Sequence, residues 1–133
     1  MVKICGVGVC CQDYIVSSPR VEWGDTAIVS SYHAQGGGLI GTALVACARL
    51  GADCDLFSLL GADAIAEEIT AELQREGIDT SGVQKIHGGN SPFSFIHVDE
   101  DKASILKLYN VVKRFDIAID KAVRVDAICC KCA

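Results

Sequence analysis

This sequence lacks the features that bring a protein to a membrane or to nucleic acid. Its 133 residues include only 2 Pro, and its 13 Gly form no low-complexity repeat, which excludes the fibrous classes. No apolar run approaches the roughly 18 residues that are needed to cross a bilayer, so we expect no membrane partner. A net charge of −5 argues against binding to a phosphate backbone, so we expect no nucleic-acid partner.

An export signal is missing as well. The apolar N-terminal stretch ends at the polar residues Gln12 and Asp13, and no small-residue cleavage site follows it. It therefore predicts a buried strand and a cytoplasmic protein. Half of the residues are hydrophobic, and the length fits one domain.

The eight cysteines do not form the two paired spacings of a zinc-binding motif. Only Cys129 and Cys132 are separated by the two residues of a zinc knuckle or a redox motif, and Cys10 and Cys11 point to opposite faces of a strand. The three histidines, His33, His87 and His97, lie far apart in the sequence. We interpret the cysteines as small buried apolar residues in a reducing compartment, and we predict no metal site.

The periodicity of apolar residues predicts an alternation of strands and helices. Buried strands are predicted at 3–11, 54–60 and 125–130, and helices at 39–50, 64–76 and 111–123. More polar strands are predicted at 13–18, 27–34, 83–87, 92–98 and 103–109. Buried strands separated by helices indicate an α/β fold with a parallel sheet, and the polar strands indicate a separate small sheet.

A dinucleotide-binding fingerprint is incomplete. Gly6 and Gly8 follow the start of the first strand, but Cys11 stands where the third glycine would be. No Walker-type Gly-Lys-Ser/Thr is present. An oxidoreductase on a Rossmann-like sheet is therefore an alternative that the sequence disfavours.

Two features near the N-terminus are candidates for a binding site. Asp13 follows the first predicted strand, at the edge where α/β sheets bind their ligands, and its carboxylate can accept hydrogen bonds from two sugar hydroxyls. The glycines 36–38 lead into a helix, where backbone can approach a ligand closely, and Thr42 adds a hydroxyl one turn later. The alternatives are a solvated or capping aspartate and a flexible connector.

Taken together, the motifs resemble the ribokinase-like, or PfkB, family of carbohydrate kinases. The similar segments are Gly8-x4-Asp13, the glycine-rich helix 36–52 ending in Ala-Arg-Leu-Gly-Ala, the Gly-x-Asp turn in 59–63, the phrase 77–83 and the strand Ser91 to Asp99. They follow the family's order and spacing over about residues 3–110.

The resemblance implies an α/β, ribokinase-like fold: a Rossmann-type parallel sheet flanked by helices, with a small β-sheet lid formed by strands at about 13–35 and 83–109. Residues 1–133 would be the N-terminal portion of a single domain. The implied activity is transfer of the γ-phosphoryl group of ATP to a hydroxyl of a sugar or nucleoside, with ATP and Mg bound outside this chain.

The resemblance also implies roles for individual residues. Asp13 and the backbone of Gly37 and Gly38 would hold substrate hydroxyls, and Phe93 and Phe95 would form part of the lid wall. Thr42 departs from the family's usual asparagine, which weakens any inference about the hydroxyl that it would hold.

The family's Gly-Ala-Gly-Asp motif, which supplies the general base and the anion hole, is absent from this sequence. We therefore assign no catalytic residue, expect the C-terminal half of the kinase to be missing, and expect the chain alone to be inactive. The alternative is a non-catalytic module that binds a sugar or nucleoside. The exposed edges of a small lid sheet also suggest a homodimer through the lid.

Overall fold

The computed structural model describes residues 1–100 and 102–108, and the backbone of a further strand at 127–130. The elements in chain order are β1 (Lys3–Val7), β2 (Cys11–Ser17), β3 (Ser31–Gly37), α1 (Leu39–Arg49), β4 (Asp53–Gly61), α2 (Ala64–Arg75), β5 (Ile78–Ile86), β6 (Phe93–Val98), β7 (Ala103–Leu108) and β8 (Ala127–Cys130). They form two four-stranded sheets and two helices, so the predicted α/β class is confirmed. No helix within the described residues is long and apolar enough to cross a membrane.

The first sheet is parallel throughout and has the order β5-β4-β1-β8. Helix α1 packs against β1 and β4, and α2 packs against β5 and β4. Alternate residues of β4, such as Leu56 and Leu60, are completely buried beneath the helices, as the period of two in a strand requires. The apolar core lies here, and its buried members are Cys10, Ile40, Leu44, Cys54, Leu56, Leu60, Ala66, Ile69, Leu73 and Ile78.

The second sheet has the order β3-β2-β6-β7 and is mixed. Strand β2 pairs antiparallel with β3 and parallel with β6, and β7 pairs antiparallel with β6. All of β7 and most of β3 are exposed. This sheet corresponds to the small sheet that the sequence predicts, because its outer strands are largely exposed and it lies outside the main core.

The single strand predicted at 3–11 is divided in the structure. Strand β1 ends at Val7, and Gly8 adopts a φ of 147°, a conformation that glycine reaches more readily than other residues. The chain then begins β2 at Cys11 in the other sheet. Continuous apolar character made the two strands look like one, since Cys10 and Cys11 remain buried across the break.

Several other boundaries differ from the predictions. The strand predicted at 83–87 is the end of β5, which starts at Ile78 and pairs with β4 in the first sheet, so this part of the expected lid lies in the parallel sheet. Its polar composition reflects its place at the edge of the described sheet. Strand β8 confirms the strand predicted at 125–130. The helix predicted at 111–123 lies outside the described residues.

Both helices that were predicted within the described residues are confirmed. Helix α2 is capped by Asp63, whose carboxylate accepts a hydrogen bond from the Ala66 amide at 2.9 Å. The sequence of α1 is apolar on nearly all sides and predicts a buried helix. In the structure, Leu39 is 63% exposed and only one side of the helix packs against the sheet. Small residues such as alanine and glycine suit such a half-covered helix as well as a buried one.

Candidate functional site

The candidate site lies where β2 and β3 meet the start of α1. In the ladder between these strands Cys11 faces Gly37, and Asp13 faces Gln35. A Cβ built on Gly37 would lie 2.2 Å from Asp13 Oδ2, so the carboxylate packs directly against the glycine backbone. Any side chain at position 37 would displace Asp13. The structure therefore brings Asp13 and Gly37 together.

Gly38 makes the turn from β3 into α1 possible. Its φ of 87° and ψ of 149° lie in a region that is essentially limited to glycine. A Cβ there would lie 2.7 Å from the Val9 carbonyl oxygen and 3.0 Å from the Cys11 nitrogen. The helix start is thus pressed against the segment between β1 and β2, and this contact fixes the glycine backbone relative to Asp13.

The thiol of Cys11 is a neighbour of the Asp13 carboxylate. Cys11 Sγ lies 3.5 Å from Asp13 Oδ1, and the residue is buried. Burial, with a further contribution from the negative charge of Asp13, raises the pKa of Cys11 to about 12. The thiol is therefore protonated at neutral pH and acts as a weak donor toward the carboxylate, not as a nucleophile.

The register of the second sheet decides which side chains share a face with Asp13. Ser94 faces Asp13 across the β2–β6 ladder, and Ile96 faces Ile15 two residues further along. Because side chains alternate along a strand, these four residues lie on one face of the sheet. That face combines one carboxylate with a small buried hydroxyl residue and two aliphatic side chains.

Phe93 and Phe95 lie on the opposite face. They face Gln12 and Tyr14 across the same ladder, and the rings of Tyr14 and Phe93 meet edge to face with centroids 6.0 Å apart. Phe93 and Phe95 alternate with Ser94 in the sequence, which predicts one apolar face that contains both phenylalanines. The pairing of β6 with β2 agrees with this alternation. The structure does not bring that face to Asp13, because the two sets of residues are offset by one position and so point in opposite directions.

Thr42 opens onto a different surface. It is exposed on α1, and its amide donates to the Gly38 carbonyl at 3.0 Å. A cleft of about 270 Å³ between α1, α2 and β3 is lined by Thr42, and also by Gly37 and Glu72. Asp13 does not line this cleft. The diglycine backbone thus separates Thr42 from the carboxylate instead of presenting both to one space.

Sequence reasoning missed a row of carboxylates on α2 that reaches toward this region. Glu72 Oε2 accepts a hydrogen bond from the Gly36 amide at 2.9 Å. Four residues earlier, Glu68 Oε2 lies 3.5 Å from the Tyr14 hydroxyl, and four residues later Glu76 pairs with Arg49. The helical periodicity of the sequence places these glutamates on the face opposite the apolar residues of α2, and it assigns them no partner. The spacing of four was the available signal, since it places all three on one side of the helix.

The described residues contain no group of three or more His, Cys, Asp or Glu side chains that could hold a metal, and we assign no metal ligand among them.

Comparison with known proteins places this geometry in a family. The model of the pfkB family of carbohydrate kinases matches residues 1–116. The ribokinase of Bacillus subtilis (strain 168) is 30% identical over 107 residues, which cover 80% of this chain and 36% of that protein. The chain spans about a third of the length of the curated relatives that it matches.

Solved structures show the same fold. Arabidopsis thaliana ribokinase, complexed with ribose and ATP, matches with a TM-score of 0.74 at 20% identity, over 81% of this chain and 36% of that chain. The nucleoside kinase of Methanocaldococcus jannaschii, an archaeal member of the ribokinase family, matches with a TM-score of 0.71 at 24% identity, over 81% and 37%. These superpositions establish a ribokinase-like fold for the described residues.

Proposed function

Because this chain belongs to the pfkB family of carbohydrate kinases, we propose that it forms the substrate-binding part of an ATP-dependent kinase. The acceptor would be a hydroxyl of a sugar or nucleoside, and the reaction would be transfer of the γ-phosphoryl group of ATP. Ribokinase with ribose and ATP and a nucleoside kinase both share its fold, which supports the substrate class and the use of ATP.

The contact between Asp13 and the diglycine carries this proposal. A carboxylate can accept hydrogen bonds from two neighbouring hydroxyls, an arrangement that sugars and ribose offer. Gly37 keeps a side chain away from the carboxylate, and the glycines let a ligand approach the backbone closely. Ile15 and Ile96 on the same sheet face would pack against the carbon skeleton of the ligand.

The role of this part of the chain in phosphoryl transfer is positioning. Holding the acceptor hydroxyl in a fixed orientation removes entropy from the activation barrier before ATP reacts. ATP, with Mg, would supply the phosphoryl group and the neutralisation of its charge. No step of the transfer is assigned to the described residues beyond binding of the acceptor.

Location and assembly follow from the cysteines and from the second sheet. Cys10, Cys11, Cys47 and Cys54 carry free thiols, which suits the reducing cytoplasm. The edge strand β7 exposes apolar side chains, Leu106 at 72% among them, which supports pairing of two lid sheets in a homodimer.

Calorimetry of the purified chain tests the binding site. We expect saturable binding of at least one of ribose, fructose and adenosine, with Asp13→Ala weakening it by about tenfold or more, because a charge-assisted hydrogen bond is lost. The matched control is Asp25→Ala, since Asp25 is an exposed aspartate in the loop between β2 and β3. Absence of binding to all three ligands, or equal effects of the two variants, would contradict the proposal.

An assay of ATP turnover separates the kinase from a non-catalytic binding module. The 133-residue chain alone is expected to bind its ligand without phosphorylating it, because no general base is assigned to the described residues. Robust sugar phosphorylation by this chain would contradict that expectation. The longest natural form of the protein is then tested with ATP and the ligand. If ATP neither tightens ligand binding nor leads to phosphorylation of the ligand, the non-catalytic binding module is favoured.

A further inference from the structure

Glu72 connects the outer strand of the second sheet to the first layer of the fold. Among the described strands, β3 lies at the edge of its sheet, so every second amide along it has no described strand partner on its outer side. The Gly36 amide donates to Glu72 Oε2 at 2.9 Å. A Cβ built on Gly36 would lie 3.0 Å from Glu72 Cδ and from Oε1, so the carboxylate packs directly against this glycine.

The position of this bond gives it a consequence for the binding site. Gly36 immediately precedes Gly37, against which the Asp13 carboxylate packs, and Gly38, which is the N-cap of α1. Three consecutive glycines lose more conformational entropy on ordering than any other tripeptide. A charge-assisted hydrogen bond at the first of them reduces the motion of the other two, because it anchors one end of the short segment.

The acidic row on α2 indicates that Glu72 is placed for this contact and not for solubility. Glu68, Glu72 and Glu76 recur every four residues, and like charges at this spacing destabilise an isolated helix. Each of them faces a group on a different element: Tyr14 on β2, Gly36 on β3 and Arg49 on α1. The repulsion along the helix is thus offset by contacts that attach α2 to its neighbours, and the shortest contact to the second sheet is that of Glu72.

We propose that Glu72 is a positioning residue for the substrate site. Its carboxylate fixes the Gly36 amide and thereby holds Gly37 and Gly38 beside Asp13 in the geometry that receives substrate hydroxyls. The ligand in this inference rests on the proposed function, whereas the hydrogen bond and its effect on the glycine segment do not.

Amide hydrogen exchange of the ligand-free chain, followed by NMR, tests the hydrogen bond directly. Glu72→Ala should accelerate exchange at Gly36 by about tenfold or more, since the free energy of one charge-assisted bond is lost. Glu72→Gln keeps a carbonyl acceptor at the same place and should restore slow exchange. Glu68→Ala is the matched control one turn earlier, because its partner is the Tyr14 hydroxyl at 3.5 Å and not the glycine segment.

Calorimetry with ribose, fructose and adenosine tests the effect on the site. For whichever of them binds the unaltered chain, Glu72→Ala should raise Kd by about tenfold, with Glu72→Gln and Glu68→Ala close to the unaltered value. Circular dichroism of both Glu72 variants checks that they are folded. A raised Kd in a folded Glu72→Ala variant that Glu72→Gln restores is then not caused by a loss of stability.

The outcomes separate the two proposals. Unchanged exchange at Gly36 in Glu72→Ala, or faster exchange with an unchanged Kd, would overturn the positioning role. If the unaltered chain binds none of the three ligands, the proposed function fails, and the exchange data alone then decide whether Glu72 fixes the glycine segment.

Discussion

The two sheets of this protein differ in what they bury. The parallel sheet is covered by α1 and α2, and its buried side chains are mostly apolar, with Ser58 and Thr80 as the polar exceptions. The second sheet buries polar groups, Gln12 and Ser94 among them, and within the described residues Gln12 Oε1 has no hydrogen-bond partner. Burial of apolar surface stabilises the first sheet, whereas an unpaired buried acceptor costs stability in the second.

The exposed sides of the second sheet show the same difference. Every residue of β7 is exposed, and the loop between β2 and β3 carries the fully exposed side chain of Trp23. A sheet with so little apolar cover depends on its strand pairing and on a few contacts to the first layer. Such a sheet is suited to contact a substrate or a second copy, because its outer strands are largely exposed.

Several contacts join the two regions. Gly38 presses the start of α1 against the segment between the sheets, Glu72 accepts the Gly36 amide, and Asp63 binds Ser91 just before β6. Each contact is polar or depends on close backbone approach. The second sheet is therefore attached to the first by hydrogen bonds and close backbone contacts more than by a shared apolar core.

Truncation of a buried leucine tests the contrast most strongly. Leu56→Ala should destabilise the chain by about 4 kcal/mol, since it removes a completely buried side chain and leaves a cavity. Leu106→Ala in the second sheet should change stability by less than about 0.5 kcal/mol, because Leu106 is already mostly exposed. Urea denaturation measures both. Similar effects of the two substitutions would show that the second sheet has its own core.

Replacement of Gly38 tests the junction. Gly38→Ala should destabilise by about 3 kcal/mol, because alanine is strained at this φ and ψ and its Cβ would collide with the Val9 carbonyl. Gly24→Ala is the control: its φ of 97° is also positive, but no atom lies within 4 Å of the added Cβ, so about 1 kcal/mol is expected.

The same urea titrations check this pair of variants. An equal effect of the two glycine substitutions would mean that backbone strain alone matters at position 38 and that the close approach to Val9 contributes nothing. A larger effect at Gly38 would sharpen the view that the sheets are joined through close backbone contact.

Removal of Asp63 tests the third contact and has a pH dependence. Burial alone would raise the pKa of Asp63, but hydrogen bonds from the Ser91 side chain and amide and from the Ala66 amide outweigh it and lower the pKa. Asp63→Ala should destabilise by about 2 kcal/mol at pH 7, since the cap of α2 is lost and the buried Ser91 loses its partner.

The pH profile gives the sign. A lowered pKa in the folded state means that the stabilisation by Asp63 is complete above the pKa of the unfolded chain and is lost as the pH falls through the folded value. The difference between the unaltered chain and Asp63→Ala should therefore shrink in acid, as thermal unfolding at several pH values would show. A difference independent of pH would contradict this account. Glu67→Ala, one turn into α2, is the control and should change stability by less than about 0.5 kcal/mol.

Much of the fold was predictable because its signals are local. The apolar period of α2, the Asp63 cap and the glycine at 77 define that helix in the sequence, and the structure has it within one residue of the prediction. The strand at 54–60 was equally clear, because most of its residues are apolar, and it corresponds to β4. The division of residues 3–11 was not predictable in the same way, since both halves are apolar and the break depends on one glycine conformation.

The site shows the same limit at the level of single residues. Asp13, Gly37 and Gly38 could be chosen from the sequence, because each belongs to a short local motif. Asp13 lies on β2, and the glycines lie at the end of its partner β3. Phe93 and Phe95 could be assigned to one apolar face, but their position relative to Asp13 depends on the register of β6 against β2. A shift of one residue reverses the face, and no local pattern fixes that shift.

The sequence alone determined the α/β class, the helices and the glycine motif. The first two follow from periodicity, and the third follows because certain backbone conformations favour glycine over every other residue type. The tertiary structure alone decided which sheet each strand joins, that the two phenylalanines lie away from the carboxylate, and that Glu72 reaches the Gly36 amide. These are relations between residues far apart in the chain, and their free energies depend on distances that exist only after the sheets have formed.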